Sequence, residues 1–202
     1  VAPTPQGKLT ASNKVAQDYF GVVSVSGDTV LVGAEGAGPG GLSLAGAAYV
    51  YVRNGTAWTE QAILTAGDKQ AENFFGRSVA VDGDTALVGA PYNDVGGSLG
   101  AAYVFVRSGT NWIQQAKLRD RNGLQADRLN TSFGSSVALA GNTALVGNEG
   151  RGTAVVFVRN GTNWTRQAEL TASDAVAADP NFFGHAVALA GNTALVGNLA
   201  AT

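Results

Sequence analysis

Tyr92-Asn93-Asp94 sets an aromatic ring beside an amide and a carboxylate in a glycine-rich stretch, a trio suited to stacking on and hydrogen bonding to a sugar or a peptide. Acids recur between the strand-like runs: Asp68 and Glu72, Asp120 and Asp127, Asp174 and Asp179. Brought to one face, Asp68, Asp120, Asp174 and Asp179 would form an acidic rim that attracts cations or basic ligands. Each of these acids also suits a side-chain-to-backbone turn. The single histidine, His185, fills a slot that holds Arg77 and Ser135 in related stretches, so it reads as a polar strand edge rather than a general base. There is no nucleophile elbow, no phosphate loop and no pair of carboxylates at helical spacing. One histidine and no cysteine leave no thiol chemistry and no multi-histidine metal cluster. No catalytic residue, metal ligand or cofactor is therefore expected, and the chain reads as a non-enzyme.

The elements that position these residues repeat. Phe75-Gly76 followed by SVAVDGDTALVGA returns as Phe133-Gly134 with SSVALAGNTALVG and as Phe183-Gly184 with HAVALAGNTALVG, and a worn copy starts at Phe20-Gly21. The turn glycines Gly27, Gly83, Gly141 and Gly191 lie 56, 58 and 50 residues apart. Trp58, Trp112 and Trp164, the only tryptophans, each follow Gly-Thr-X in the same phase, where each should start an outer strand and pack on the next sheet. Within one copy the runs Ser78 to Val81, Thr85 to Gly89, Ala101 to Arg107 and Trp112 to Leu118 are strand-like. Gly83-Asp84 and Ser108-Gly109 supply the positive φ of tight hairpins, as Asn54-Gly55 and Asn160-Gly161 do in the neighbouring copies. Each copy is thus a four-stranded antiparallel meander.

In Ala101 to Arg107 the tyrosine and phenylalanine alternate with valines, so both faces of the sheet are apolar and both need covering. Radial stacking does this, whereas a two-sheet sandwich leaves one face of each sheet polar. The expected fold is all-β, a β-propeller of four-stranded antiparallel blades with about 3.5 to 4 blades in this chain. Residues 1–202 form one array, with units at 1–19 (a partial outer strand), 20–73, 74–131, 132–181 and 182–202 (partial). Gln6 to Ser12 matches Gln167 to Ser173, which predicts that the chain opens on a fourth strand, for fifteen strands in all. On that count the chain is part of a larger ring or leaves a blade open for a partner or another copy.

These residues resemble the FG-GAP repeats of the integrin α-subunit head and of bacterial surface and secreted proteins. Phe75-Gly76 and Gly89-Ala90-Pro91 carry both halves of the motif, followed by Ala102-Tyr103-Val104-Phe105 where the family has its third strand. Gly33-Ala34, Gly147 and Gly197 are drifted second halves. The resemblance implies a propeller, usually seven-bladed, used in extracellular recognition. Integrin-like repeats often hold calcium in Asp-X-Asp-X-Asp-Gly loops, and no such run occurs here: Asp82-Gly83-Asp84 has two carboxylates, and its in-phase partners are Ala140-Gly141-Asn142 and Ala190-Gly191-Asn192.

Charged residues make up 14% of the 202 residues and the net charge is −2, so no electrostatic footprint for nucleic acid or anionic lipid exists. No apolar run reaches the length of a membrane span. A first residue of valine fits a processed terminus or a fragment, and with it an extracellular or cell-surface location. The expected function is recognition or adhesion of a protein or glycan through loops on one face. The alternatives are a self-assembling surface or filament subunit completed by strand pairing between copies, and an accessory domain of an enzyme.

Overall fold

A computed structural model of the chain describes residues 7–93, 99–120, 131–173 and 182–199. Three four-stranded antiparallel sheets follow one another. The first is β1 (Phe20–Ser26), β2 (Thr29–Ala34), β3 (Ala47–Asn54) and β4 (Ala57–Leu64). The second is β5 (Ser78–Asp82), β6 (Thr85–Ala90), β7 (Ala101–Ser108) and β8 (Asn111–Leu118), and the third is β9 (Phe133–Ala140), β10 (Thr143–Asn148), β11 (Thr153–Asn160) and β12 (Asn163–Thr171). A two-stranded sheet, β13 (Ala186–Ala190) and β14 (Thr193–Gly197), comes last. Strand order within each full sheet is sequential, the meander that the turn glycines dictate. The chain is a β-propeller of blades.

The second and third blades are covered on both faces because their strands alternate two apolar sets. On one face of the second blade, Ala86, Val88, Tyr103 and Phe105 pack with Leu31, Val50 and Leu64 of the first. On the other, Leu87, Ala102, Val104 and Leu118 pack with Phe133, Val146 and Phe157 of the third. Trp112 and Trp164 seal the outer edges, and they reach backward rather than forward along the chain. The Trp112 indole N–H donates to Gln61 Oε1 of the preceding blade at 2.9 Å, and that of Trp164 donates to Gln115 Oε1 at 3.0 Å.

The innermost joints are made of backbone. Phe75 is fully buried, its ring edge-on to Phe105 and tilted against Tyr103 of its own blade. This brings Gly76 against the first blade, where a Cβ on Gly33 would lie 2.1 Å from the Gly76 carbonyl oxygen and a Cβ on Gly76 would lie 2.3 Å from that of Ala47. Gly89 meets Gly134 and Gly147 meets Gly184 in the same way, at 2.0 and 2.1 Å. The motif glycines are therefore the contact between blades, since no side chain fits between the two backbones.

One element departs from expectation. The opening segment is not a strand: among the described residues Gly7 to Ser12 has no ladder partner, because no third strand lies beside it. It nevertheless takes the place of a fourth strand's end. Ser12 N donates to Glu60 at 3.0 Å, as Gly67 N donates to Gln114 at 2.9 Å, and Tyr49 donates to Asn13 as Tyr103 donates to Asp68, both at 2.8 Å. Leu9 to Asn13 thus sits on the first blade as Leu64 to Asp68 sits on the second. Fourteen strands are present among the described residues.

Gly89→Ala is expected to destabilise the fold by about 3 kcal/mol, the upper range for overpacking, because the Gly134 backbone cannot yield without parting two blades. Gly197→Ala, whose Cβ would meet nothing closer than 3.5 Å, should stay within about 0.5 kcal/mol of the parent. Urea midpoints of the two variants give the comparison, and equal midpoints would show that the backbone joint is not limiting.

Candidate functional site

The loops after second strands and after fourth strands share one face because their backbones bond to each other. Glu72 N donates to Ser43 O and Phe74 N to Leu44 O, both at 2.9 Å, and short parallel bridges pair Gly46 with Phe75 and Gly100 with Phe133. The hairpin turns occupy the opposite face, where their acids are committed to the frame. Asp84 accepts from Arg107 Nε at 2.7 Å while Arg107 Nη1 reaches Thr29 of the preceding blade at 3.2 Å. Arg159 bonds Asn142 and Thr85 in the same pattern, and Asp82 accepts from Gly141 N at 2.6 Å. The Asp82-Gly83-Asp84 turn does not fit a calcium ion, which needs six to eight oxygens, since both carboxylates already hold donors. No group of three or more potential metal-ligating side chains gathers among the described residues.

On the loop face, the tyrosine-asparagine pair divides. Tyr92 is 44% exposed, with its ring edge-on to Phe74 at 5.2 Å, a supported aromatic presented to solvent. Asn93, at 2% exposure, faces inward and accepts from the Lys117 ammonium, so it holds the loop rather than meeting a ligand. Asp94 lies outside the described residues.

Of the acidic rim, Asp68 and Asp120 are described, and neither is a free charge. Asp68 Oδ2 lies 2.5 Å from Lys117 Nζ and its Oδ1 accepts from the Tyr103 hydroxyl. The ammonium also stands 5.3 Å from the centre of the Tyr103 ring. Burial pushes the Asp68 carboxyl up, but the hydrogen bonds from Lys117 and Tyr103 outweigh it and hold the group below the usual carboxylate value. Asp120 is buried in the slot that holds Ala66 and Ala11 at the earlier joints. Arg151 Nη1 lies 2.6 Å and Arg166 Nε 3.5 Å from its carboxylate, and Glu169 closes the cluster on both arginines. Asp174 and Asp179 lie outside the described residues. His185 Nδ1 is 3.1 Å from Glu149 Oε1 of the preceding blade, as Arg77 is 2.8 Å from Glu35, so this slot is a bridge between blades.

Sequence reasoning passed over Lys117, Arg151 and Arg166, which decide the fate of the acids. The signal for Lys117 lay in the alignment of copies, where it shares a position with Ile63 and Glu169; the ladder places these three opposite Tyr49, Tyr103 and Val155.

The FG-GAP repeat family model matches residues 3–51, 58–105, 112–161 and 164–201. Each central match begins on the fourth strand of one blade and ends on, or one residue past, the third strand of the next, with the breaks at the third-to-fourth hairpins. No curated protein matches the sequence. Among solved structures, apo AztD from Citrobacter koseri is similar at 13% identity with a TM-score of 0.26, over 76% of this chain and 47% of that one. The chain thus spans about half the length of that structure. No helix among the described residues is long and apolar enough to cross a membrane.

Because the folded-state pKa of Asp68 is depressed, its pair with Lys117 stabilises the protein above the unfolded value near 3.8, and that contribution is lost as pH falls through the lower folded value. The difference in urea midpoint between the parent and Asp68→Asn should therefore be constant around neutrality and shrink below about pH 4. A gap that persists in acid would assign the effect to packing rather than to charge.

Proposed function

The chain belongs to the FG-GAP repeat family, and we propose that it is a non-enzymatic recognition module, extracellular or at the cell surface, that binds a protein or glycan through its loop face. The observation that carries this reading is Tyr92, an exposed ring braced by Phe74 on loops whose backbones are tied to the blades. The loops from second to third strand span 35–46 in the first blade but only 149–152 in the third, while the blades beneath them repeat. Variable loops on a rigid frame are the usual place for binding residues.

A second reading is self-association. It is favoured by Val23 and Val25 on β1, each 67% exposed, and by Leu195 on β14, 70% exposed. Gly21 and Gly197 belong to the two motif halves that meet at every internal joint, yet among the described residues no part of another blade lies within 4 Å of a Cβ built at either. One copy could thus offer the half-joint that another lacks.

Screening immobilised glycans and extracellular proteins with the intact chain tests the first reading. Tyr92→Ala should weaken capture about tenfold or more, the scale of an interface anchor, without moving the melting temperature. Thr110→Ala, in a hairpin turn on the opposite face, should leave capture unchanged. Loss in Thr110→Ala but not in Tyr92→Ala would overturn the assignment of the face. Sedimentation across a wide concentration range tests the second reading, and a monomer throughout would remove it.

A further inference from the structure

In the second blade an ammonium fills a small site under the loop face. Lys117 Nζ, carried opposite Tyr103 on the β7–β8 ladder, lies over the Tyr103 ring and contacts Asp68 and Asn93. The same place in the first blade holds no cation among the described residues. Ile63 stands opposite Tyr49 on the β3–β4 ladder where Lys117 stands opposite Tyr103, Asn13 replaces Asp68, and Ala37 replaces Asn93. What remains is a cavity of about 210 Å³ lined by Asn13, Asp18, Tyr49 and Ile63, with Val15 and Pro39 among its other walls.

Asp18 makes this cavity chemically distinct. It is 8% exposed, its Oδ2 accepts from Val15 N at 2.7 Å, and no cationic side chain among the described residues reaches it. A carboxylate this deeply buried is normally paired, since leaving it without a counter-charge is costly. Burial first, then the negative charges of Asp18 and Glu60, push the Tyr49 hydroxyl up, so the site is electronegative as well as desolvated. Asn13 Oδ1 accepts from the Tyr49 hydroxyl and so is fixed in the wall of the cavity.

We propose that this cavity binds a primary alkylammonium group, the end of a lysine side chain or a free alkylamine, with the Asp18 carboxylate as counter-ion and Asn13 and Tyr49 in the wall around it. Asp18 is the one carboxylate among the lining residues, where a hard divalent cation usually gathers several. Val15 and Ile63, both exposed at their outer sides, with Pro39 give the methylene stem an apolar path, as lysine stems take elsewhere. This inference rests on the reading of the loop face as a recognition face and names the ligand chemistry of one site on it.

Titration calorimetry of the intact chain with n-butylammonium and with lysine blocked at its α-amino and α-carboxyl groups tests the assignment. Saturable binding of the charged amines, absent for the side-chain-acetylated lysine, is expected, and Asp18→Asn should weaken it about tenfold or more. Ile63→Lys should restore the internal ammonium of the second blade, abolish amine binding and raise the melting temperature. Binding of both amines would indicate a lysine carried on a polypeptide, whereas exclusion of the blocked lysine would indicate a free amine. No saturable amine binding by the parent, or binding unchanged in a folded Ile63→Lys variant, would overturn the proposal, and the second variant decides the matter if Asp18→Asn does not fold. Retention of a Tyr92-dependent ligand alongside such a failure would sink this site and leave the recognition reading standing.

Discussion

Everything in this propeller depends on two backbones touching. At each joint between described blades a glycine one residue from the end of a second strand faces a glycine that follows a phenylalanine, and the space between them admits no side chain. That apposition fixes how far one blade stands from the next. The distance in turn decides which side chains further out can meet: the aliphatic and aromatic layers at mid-blade, then the indole-to-glutamine bonds at the outer edge. The phenylalanine ring sets the depth of the contact by wedging against the third strand of its own blade, so one short motif defines both a radius and a spacing.

Further from the axis the joints are free to differ, and they do. The joint between the first and second blades carries Ala66, with Gly67 bonded to Gln114. At the next joint Asp120 takes the alanine's position and Arg166 the glutamine's, so a small apolar contact becomes a cluster of buried charges. The bridging slot behaves alike: Arg77 with Glu35 at one joint, His185 with Glu149 at another. A guanidinium at one joint and an imidazole at another reach a glutamate of the preceding blade, so different chemistry satisfies the same geometry. The tolerance exists because the glycine contact, not these pairs, holds the blades in place.

The fold was legible because its signals are local. Alternation with period two in Ala101 to Ser108, glycine turns at fixed offsets and the in-phase tryptophans each report on neighbours a few residues away, and they locate the strands to within a residue or two. The site was less so, since the fate of its acids turns on partners far along the chain: Asp68 on Lys117 and Asp120 on Arg151. Nothing near Asn93 in sequence foretells that it faces a lysine. The opening segment shows the same limit from another side. Its match to Gln167–Ser173 is real in position and false in conformation, because a strand is defined by its neighbour and not by its own residues.

The offset between the repeat and the blade has its own consequence. Since a repeat ends one blade and begins the next, no repeat is a folding unit by itself, and each blade is stitched from two consecutive repeats. Lengthening or shortening the chain by one whole repeat still leaves every interior blade with four strands, wherever in the repeat the splice falls. Covalent continuity crosses each joint inside a repeat, so neighbouring blades stay tethered even while their packed faces are apart. A blade that opens transiently thus closes again onto the neighbour it left rather than onto a stranger.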